Sequence, residues 1–179
     1  MSIFSKIVDR FNLKRFWTWT TFVYAACAGA LVLFFFVTNG VLINISIPST
    51  SMVSTINAGD KLLGVRSWLV SYDRGDIVIF QHYDGRMFCK RIVGMPGETV
   101  EIKAGTVYIN GTRLDEPYLG SFMEEDVGPF EIPDDSYFVM GDNRAYSSDS
   151  REWDIPYVES DQIRGKLLWR YSPNIERVK

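Results

Sequence analysis

Three clusters in this chain carry side chains able to do chemistry. The first is Pro48-Ser49-Thr50-Ser51-Met52, a run of small hydroxyl residues. A serine hydroxyl is a poor nucleophile until a neighbouring base takes its proton. Ser51 therefore has meaning only beside a base, and the sequence offers two candidates. His82 is the only histidine. It stands beside Tyr83-Asp84-Gly85, which reads as an exposed hairpin turn, so a Ser-His-Asp arrangement is open on residue types alone. Lys90 is the other candidate, in Met87-Phe88-Cys89-Lys90-Arg91-Ile92-Val93. Strand alternation puts Phe88, Lys90 and Ile92 on one face. Two readings of that lysine stand side by side. Its stem can lie along the core with the amine in solvent. Alternatively the amine is buried, and its pKa falls from about 10.4 towards neutrality. Only the second reading supplies a general base.

The third cluster runs from Gly141 to Arg151. It holds two arginines, two aspartates and three serines in eleven residues, directly after the apolar Tyr137-Phe138-Val139-Met140. Such a loop can be a plain surface connection. It can also be an ion-paired scaffold that presents a hydroxyl to orient an amine.

These clusters need elements to position them. The nucleophile cluster lies within a run of 44 residues, 16–59, without Asp, Glu, Lys or Arg. Its most apolar part, 22–43, is 22 residues long, about enough helix to cross a ~30 Å hydrocarbon core. A cleaved secretory signal would place its small residues after the apolar stretch. Here Ala25, Ala26, Ala28, Gly29 and Ala30 precede 31–37. The length argues against a buried core helix. The expectation is a retained anchor over 17–43 in a lipid bilayer, with a basic cytoplasmic segment, 1–16, before it. Lys6, Arg10, Lys14 and Arg15 against Asp9 give that segment a charge of +3. The positive-inside tendency then puts 44–179 on the extracytoplasmic side. Trp17, Trp19 and Tyr24 suit the inner interface.

The chain carries −3 overall, so the part beyond the anchor carries −6, which disfavours a nucleic-acid partner. One histidine and two cysteines, Cys27 and Cys89, make no zinc site. The cysteines fall in unrelated segments, and no disulfide is expected. The pattern beyond the anchor reads as short strands at 61–66, 76–81, 87–93, 99–102, 106–109, 137–140 and 162–170, with turns at Pro96-Gly97, Lys103-Ala104-Gly105 and Asn110-Gly111. The expected fold is all-β: one domain built on a folded antiparallel sheet or partly closed barrel, since a sheet of this size must manage its edges. A short helix within 145–160 is left open.

Four blocks in this order resemble the bacterial type I signal peptidases, membrane-anchored Ser/Lys endopeptidases that remove signal peptides. They are Pro48-Ser49-Thr50-Ser51-Met52-Val53-Ser54-Thr55-Ile56, Arg74-Gly75-Asp76-Ile77-Val78-Ile79-Phe80, Lys90-Arg91-Ile92-Val93-Gly94-Met95-Pro96-Gly97-Glu98, and Tyr137 to Arg144 continuing through Ser147, Asp149, Ser150 and Arg151. The resemblance implies Ser51 as nucleophile and Lys90 as general base. It implies an oxyanion hole from Ser49 and the Ser51 amide, and Ser147 as the hydroxyl that orients the lysine. Asp142, Arg144, Asp149 and Arg151 are implied as support. Ile45, Ile47, Met52, Ile56, Phe88 and Cys89 are implied to line shallow substrate pockets for Ala-X-Ala sites. No cofactor is implied. The implied partners are exported preproteins and the bilayer, with proximity to the secretion translocon.

The sequence departs from the family pattern at Ser54, where proline is usual, at Ala145, where aspartate is frequent, and at Tyr146, where asparagine is common. The stretch between Glu98 and Ser136 leaves no room for a large inserted domain, so the chain looks like the compact, single-anchor form of Gram-positive bacteria. Two alternatives accompany this expectation: a related peptidase serving a restricted set of exported or pilus-like proteins, and an inactive peptide-binding homologue.

Overall fold

The structure is a computed structural model that describes residues 13–121 and 123–178. The expected cytoplasmic segment lies outside the described residues up to residue 12. Helix α1 is Leu13–Phe36 and runs on into a π-helical turn, Val37–Val41. Alanine and leucine favour the helix. Its hydroxyls are satisfied locally, Thr21 Oγ1 donating to Trp17 O and Thr38 Oγ1 to Phe34 O at 2.9 and 2.8 Å. Local satisfaction is what an apolar surrounding demands. The 25 residues Trp17–Val41 contain an 18-residue window with a mean hydropathy of 2.1 and no part buried, long and apolar enough to cross a bilayer. The helix stops short of the expected anchor: Leu42 and Ile43 already belong to the first strand.

The unit beyond Val41 is β-rich. Its strands are β1 (Leu42–Ser46), β2 (Lys61–Arg66), β3 (Ile77–Gln81), β4 (Met87–Gly94), β5 (Thr99–Lys103), β6 (Thr106–Ile109), β7 (Thr112–Arg113), β8 (Val127–Glu131), β9 (Ser136–Met140), β10 (Val158–Glu159), β11 (Ile163–Ser172) and β12 (Glu176–Arg177). An eight-stranded sheet has the order β1-β2-β11-β3-β4-β9-β10, with β12 on β11. A four-stranded sheet has the order β7-β6-β5-β8. The pairings are antiparallel. The large sheet ends at β1 and β10 and does not close into a barrel. The helix left open within 145–160 is absent among the described residues. The only helical pieces of that region are part of one 3-10 turn, Arg144–Tyr146, and the start of another, Ser160–Gln162.

Three apolar clusters hold the domain, and one lies under the site. It joins Met52 and Ile56 to Leu62, Ile77, Ile79 and Leu167, and so seats the Ser51 turn on β2, β3 and β11. Strand β4 is central, paired with β3 on one side and β9 on the other. Lys90 thus sits mid-sheet, opposite Val78, and is buried, so the reading that leaves its amine in solvent does not hold.

Candidate active site

The loop carrying Ser51 leaves β1 and returns to β2. Its neck is closed by two backbone bonds, Ile47 N–H to Asp60 O at 3.1 Å and Gly59 N–H to Ile47 O at 2.8 Å. Within it the chain turns tightly, Val53 N–H donating to Thr50 O at 3.1 Å and Ile56 N–H to Met52 O at 2.8 Å. Met52 and Ile56 are wholly buried, which pins the turn to the core. Ser51 is 8% exposed, and its Oγ lies 3.4 Å from Ser49 Oγ.

Lys90 is 2% exposed. Its Nζ lies 5.7 Å from the centroid of the Phe88 ring. Burial disfavours the ammonium and pushes its pKa below the ordinary lysine range, while the Asp149 carboxylate opposes that shift. Burial also pushes the neighbouring Cys89 thiol up to about 12, so Cys89 acts as an apolar wall. Ser51 and Lys90 line one cavity of about 680 Å³, with Ser49, Ile45, Ile47, Phe88 and Cys89 in its lining. Met52 and Ile56, expected on the pocket wall, do not line it; they lie in the core that carries the turn. Ile43, Ile79 and Met87, not expected there, line it too, as does Tyr146, singled out from sequence only as a departure from the family pattern. His82 does not. Its Nδ1 is 3.3 Å from Asp84 Oδ1 and its ring packs on Trp153 at 4.5 Å, so the Ser-His-Asp alternative has no geometry.

The loop after β9 is fixed by charge. Asp149 is fully buried and accepts from Ser147 Oγ at 2.7 Å, the Gly141 N–H at 2.9 Å and Arg151 Nε at 2.8 Å. Arg151 also pairs with Glu125 and donates to Arg144 O at 2.8 Å. Arg144 pairs with Glu116 at 2.5 Å. Asp142 accepts two bonds from Arg91, at 2.8 and 2.6 Å, and a third from Thr55 Oγ1 at 2.5 Å. A Cβ at Gly141 would collide with Ser147 Oγ and lie 2.5 Å from Ser51 O. Only glycine lets the loop and the nucleophile turn approach this closely.

Arg91, Glu116, Glu125 and Asn143 were not singled out from sequence. For Arg91 a signal existed, since alternation puts it on the face opposite Lys90. The glutamates sit in the irregular stretch after β7, which carries no periodic signal.

The sequence profile of the family described as "Signal peptidase, peptidase S26" matches residues 17–172. Signal peptidase I of Bacillus amyloliquefaciens is 38% identical over 173 residues, 89% of this chain and 87% of its own length. Signal peptidase I S of Bacillus subtilis is 37% identical over 157 residues, 80% of this chain and 84% of its own. A probable signal peptidase I-2 of Synechocystis is 37% identical over 139 residues, 71% of this chain, and the match spans 62% of that relative's length.

Proposed function

The chain belongs to the signal peptidase family, peptidase S26, and from that membership we propose that it is a serine endopeptidase that uses Ser51 and Lys90 to cut signal peptides from exported preproteins after Ala-X-Ala-like sites. The observation that carries the reading is the shared cavity: Ser51 and the 2%-exposed Lys90 line it together. In the proposed reaction the neutral Lys90 amine takes the Ser51 proton. Ser51 Oγ attacks the scissile carbonyl, and an acyl-enzyme forms as the lysine returns its proton to the leaving amine. The tetrahedral oxyanion is held by the Ser51 N–H and the Ser49 hydroxyl. Removing one such donor typically costs about 3 kcal/mol in the transition state.

Ser147 orients the base. Its hydroxyl hydrogen is committed to Asp149, a pure acceptor when ionised. The Ser147 oxygen is left to accept from the amine, which keeps the amine lone pair for Ser51. Ile45, Ile47, Phe88 and Cys89 give the cavity an apolar wall suited to small side chains before the bond. The preprotein segment adds as a strand, read by backbone bonds and shallow pockets. The apolar helix and the relatives fit a membrane-anchored protein. The proposed orientation has the N-terminus cytoplasmic and the catalytic domain outside, within reach of the translocon. Of the three departures from the family pattern, Ser54 and Ala145 do not line the cavity and Tyr146 does.

The test is incubation of the detergent-solubilised full chain with a preprotein carrying an Ala-X-Ala site, followed by mass determination of both products. A single cut after the second alanine, lost in Ser51→Ala, is expected. No cut, or the same cut by Ser51→Ala, overturns the reading.

A further inference from the structure

Two successive carbonyls flanking the Ser51 Cα are gripped by one residue. The Asn143 N–H donates to Ser51 O at 3.0 Å. The Asn143 side chain donates from Nδ2 to Thr50 O, also at 3.0 Å. The amide orientation is fixed by chemistry. Thr50 O can only accept, so the nitrogen must face it. The oxygen, Oδ1, then receives the Ser121 hydroxyl at 3.0 Å.

The Thr50 carbonyl and the Ser51 N–H belong to one peptide group. That peptide is trans, so the two point in opposite directions within a rigid plane. A hand on the carbonyl therefore sets the direction of the N–H. Among the described residues the Ser51 N–H has no acceptor of its own. The grip is itself braced. Ser121 forms a bridge with Asn143, and the segment before it is tied to the nucleophile turn by Ser54 Oγ donating to Tyr118 O at 2.9 Å. Gly120 lies so close that a Cβ there would sit 2.5 Å from Ser54 Cβ.

We propose that Asn143 is a positioning residue that aims the Ser51 N–H at the developing oxyanion by holding the opposite end of the same peptide group, with Ser121 as its brace. The proposal rests on the Ser51 peptidase reading. It assigns Asn143 no contact with substrate and no part in proton transfer.

Asn143→Asp is the informative variant. Aspartate keeps the size and the backbone N–H bond to Ser51 O, but its carboxylate cannot donate to Thr50 O and repels it. The full chain in detergent is assayed on an Ala-X-Ala peptide. Two inhibitors of the same sequence accompany it: a peptide aldehyde, whose adduct with Ser51 carries an oxyanion, and a reduced peptide with CH2–NH at the scissile bond, which carries none. The expected result is a fall in kcat of about 10²-fold with KM within about twofold. The added carboxylate favours the Lys90 ammonium and moves the rising limb towards alkali, so kcat is compared on the plateau above it; Ser121→Ala adds no charge and should leave the limb in place. The aldehyde should lose affinity by a similar factor while the reduced peptide binds as before. Ser121→Ala should give the same pattern at smaller size, and it carries the test if Asn143→Asp does not fold. A folded Asn143→Asp with wild-type kcat overturns the proposal, as does equal weakening of both inhibitors, which would mark a merely structural residue. Wild-type protein that cuts nothing would instead sink the peptidase reading, and this inference with it.

Discussion

Arg91 holds Asp142 through two hydrogen bonds, Nε to Oδ1 at 2.8 Å and Nη2 to Oδ2 at 2.6 Å, with both side chains 1% exposed. Adjacent residues of β4 thus carry two buried cations with opposite fates. Arg91 is neutralised by a bidentate partner, whereas burial works against the Lys90 ammonium. Removing one member of such a buried pair strands the other charge, which typically costs about 3–5 kcal/mol. Asp142→Ala should therefore lower stability by about that much in denaturant or thermal unfolding. The double variant Arg91→Met, Asp142→Leu should recover most of the loss. A single variant as stable as wild type would show that the pair is not buried as described.

Asp149 and Ser147 should separate in their pH behaviour. The Asp149 charge opposes the downward shift of Lys90, so Asp149→Asn should push the Lys90 pKa lower still. The rising limb of the pH–rate profile moves towards acid, and turnover falls because a single amide oxygen must replace two carboxylate oxygens that accept from Ser147, Gly141 and Arg151. Ser147→Ala keeps the charge, so turnover falls with the limb in place. Profiles of both variants on one peptide decide this. A limb that moves towards alkali in Asp149→Asn contradicts the electrostatic assignment.

The same burial makes stability depend on pH, with a definite sign. The folded-state pKa of Lys90 lies below its unfolded value. Between the two the unfolded chain binds more protons, so the wild type gains stability as pH rises. Below the folded value the ammonium is held in the apolar site at full cost. Above about 10.4 neither state is protonated and the cost is gone. Lys90→Met, which cannot titrate, should be more stable than wild type on the acid side, by a margin that shrinks as pH rises. Melting temperatures of both proteins across pH check this, and a margin that does not change with pH would contradict it.

Ser54 has φ of +95°, a backbone region that proline, fixed near −65°, cannot enter. The turn is therefore not a loosened version of a proline turn. It is built differently, with the Ser54 hydroxyl bonded to Tyr118 O. Ser54→Pro, although it restores the usual residue of the family, should lower both melting temperature and cleavage. Ser54→Gly relieves the strained φ but loses a hydrogen bond, two effects of about 1 kcal/mol each and opposite sign, so its stability should stay close to wild type. A Ser54→Pro protein with improved stability would show that the turn readily adopts the other path.

Much of the site was legible in the sequence. Alternation around Lys90 placed Phe88 beside it and Arg91 opposite. The apolar β9 announced the loop of Asp142, Ser147 and Asp149. Strand β1 was hidden because an unbroken apolar run has no period that separates strand from helix, so Leu42 and Ile43 were read as anchor. Strand β8 was missed because Gly128-Pro129 reads as a break. The resemblance implied Met52 and Ile56 as pocket wall, and no apolar residue type tells by itself whether it faces a cavity or the core. The pairs Arg144–Glu116 and Arg151–Glu125 join residues 28 and 26 positions apart, a distance over which no local pattern operates. The grip of Asn143 depends on which way one carbonyl points, and composition carries no trace of that.

The proposed chemistry turns on the protonation state of one amine. Direct titration of Lys90 by NMR in lysine-labelled full-length protein, set against the pH dependence of kcat/KM, tests it most closely, because that profile reports the free enzyme. The Lys90 pKa should lie clearly below about 10.4 and coincide with the rising limb. Lys90→Arg, which stays protonated, should show neither limb nor activity. A Lys90 that titrates near 10.4 while the enzyme is fully active at about pH 7 would contradict the assignment of Lys90 as the base.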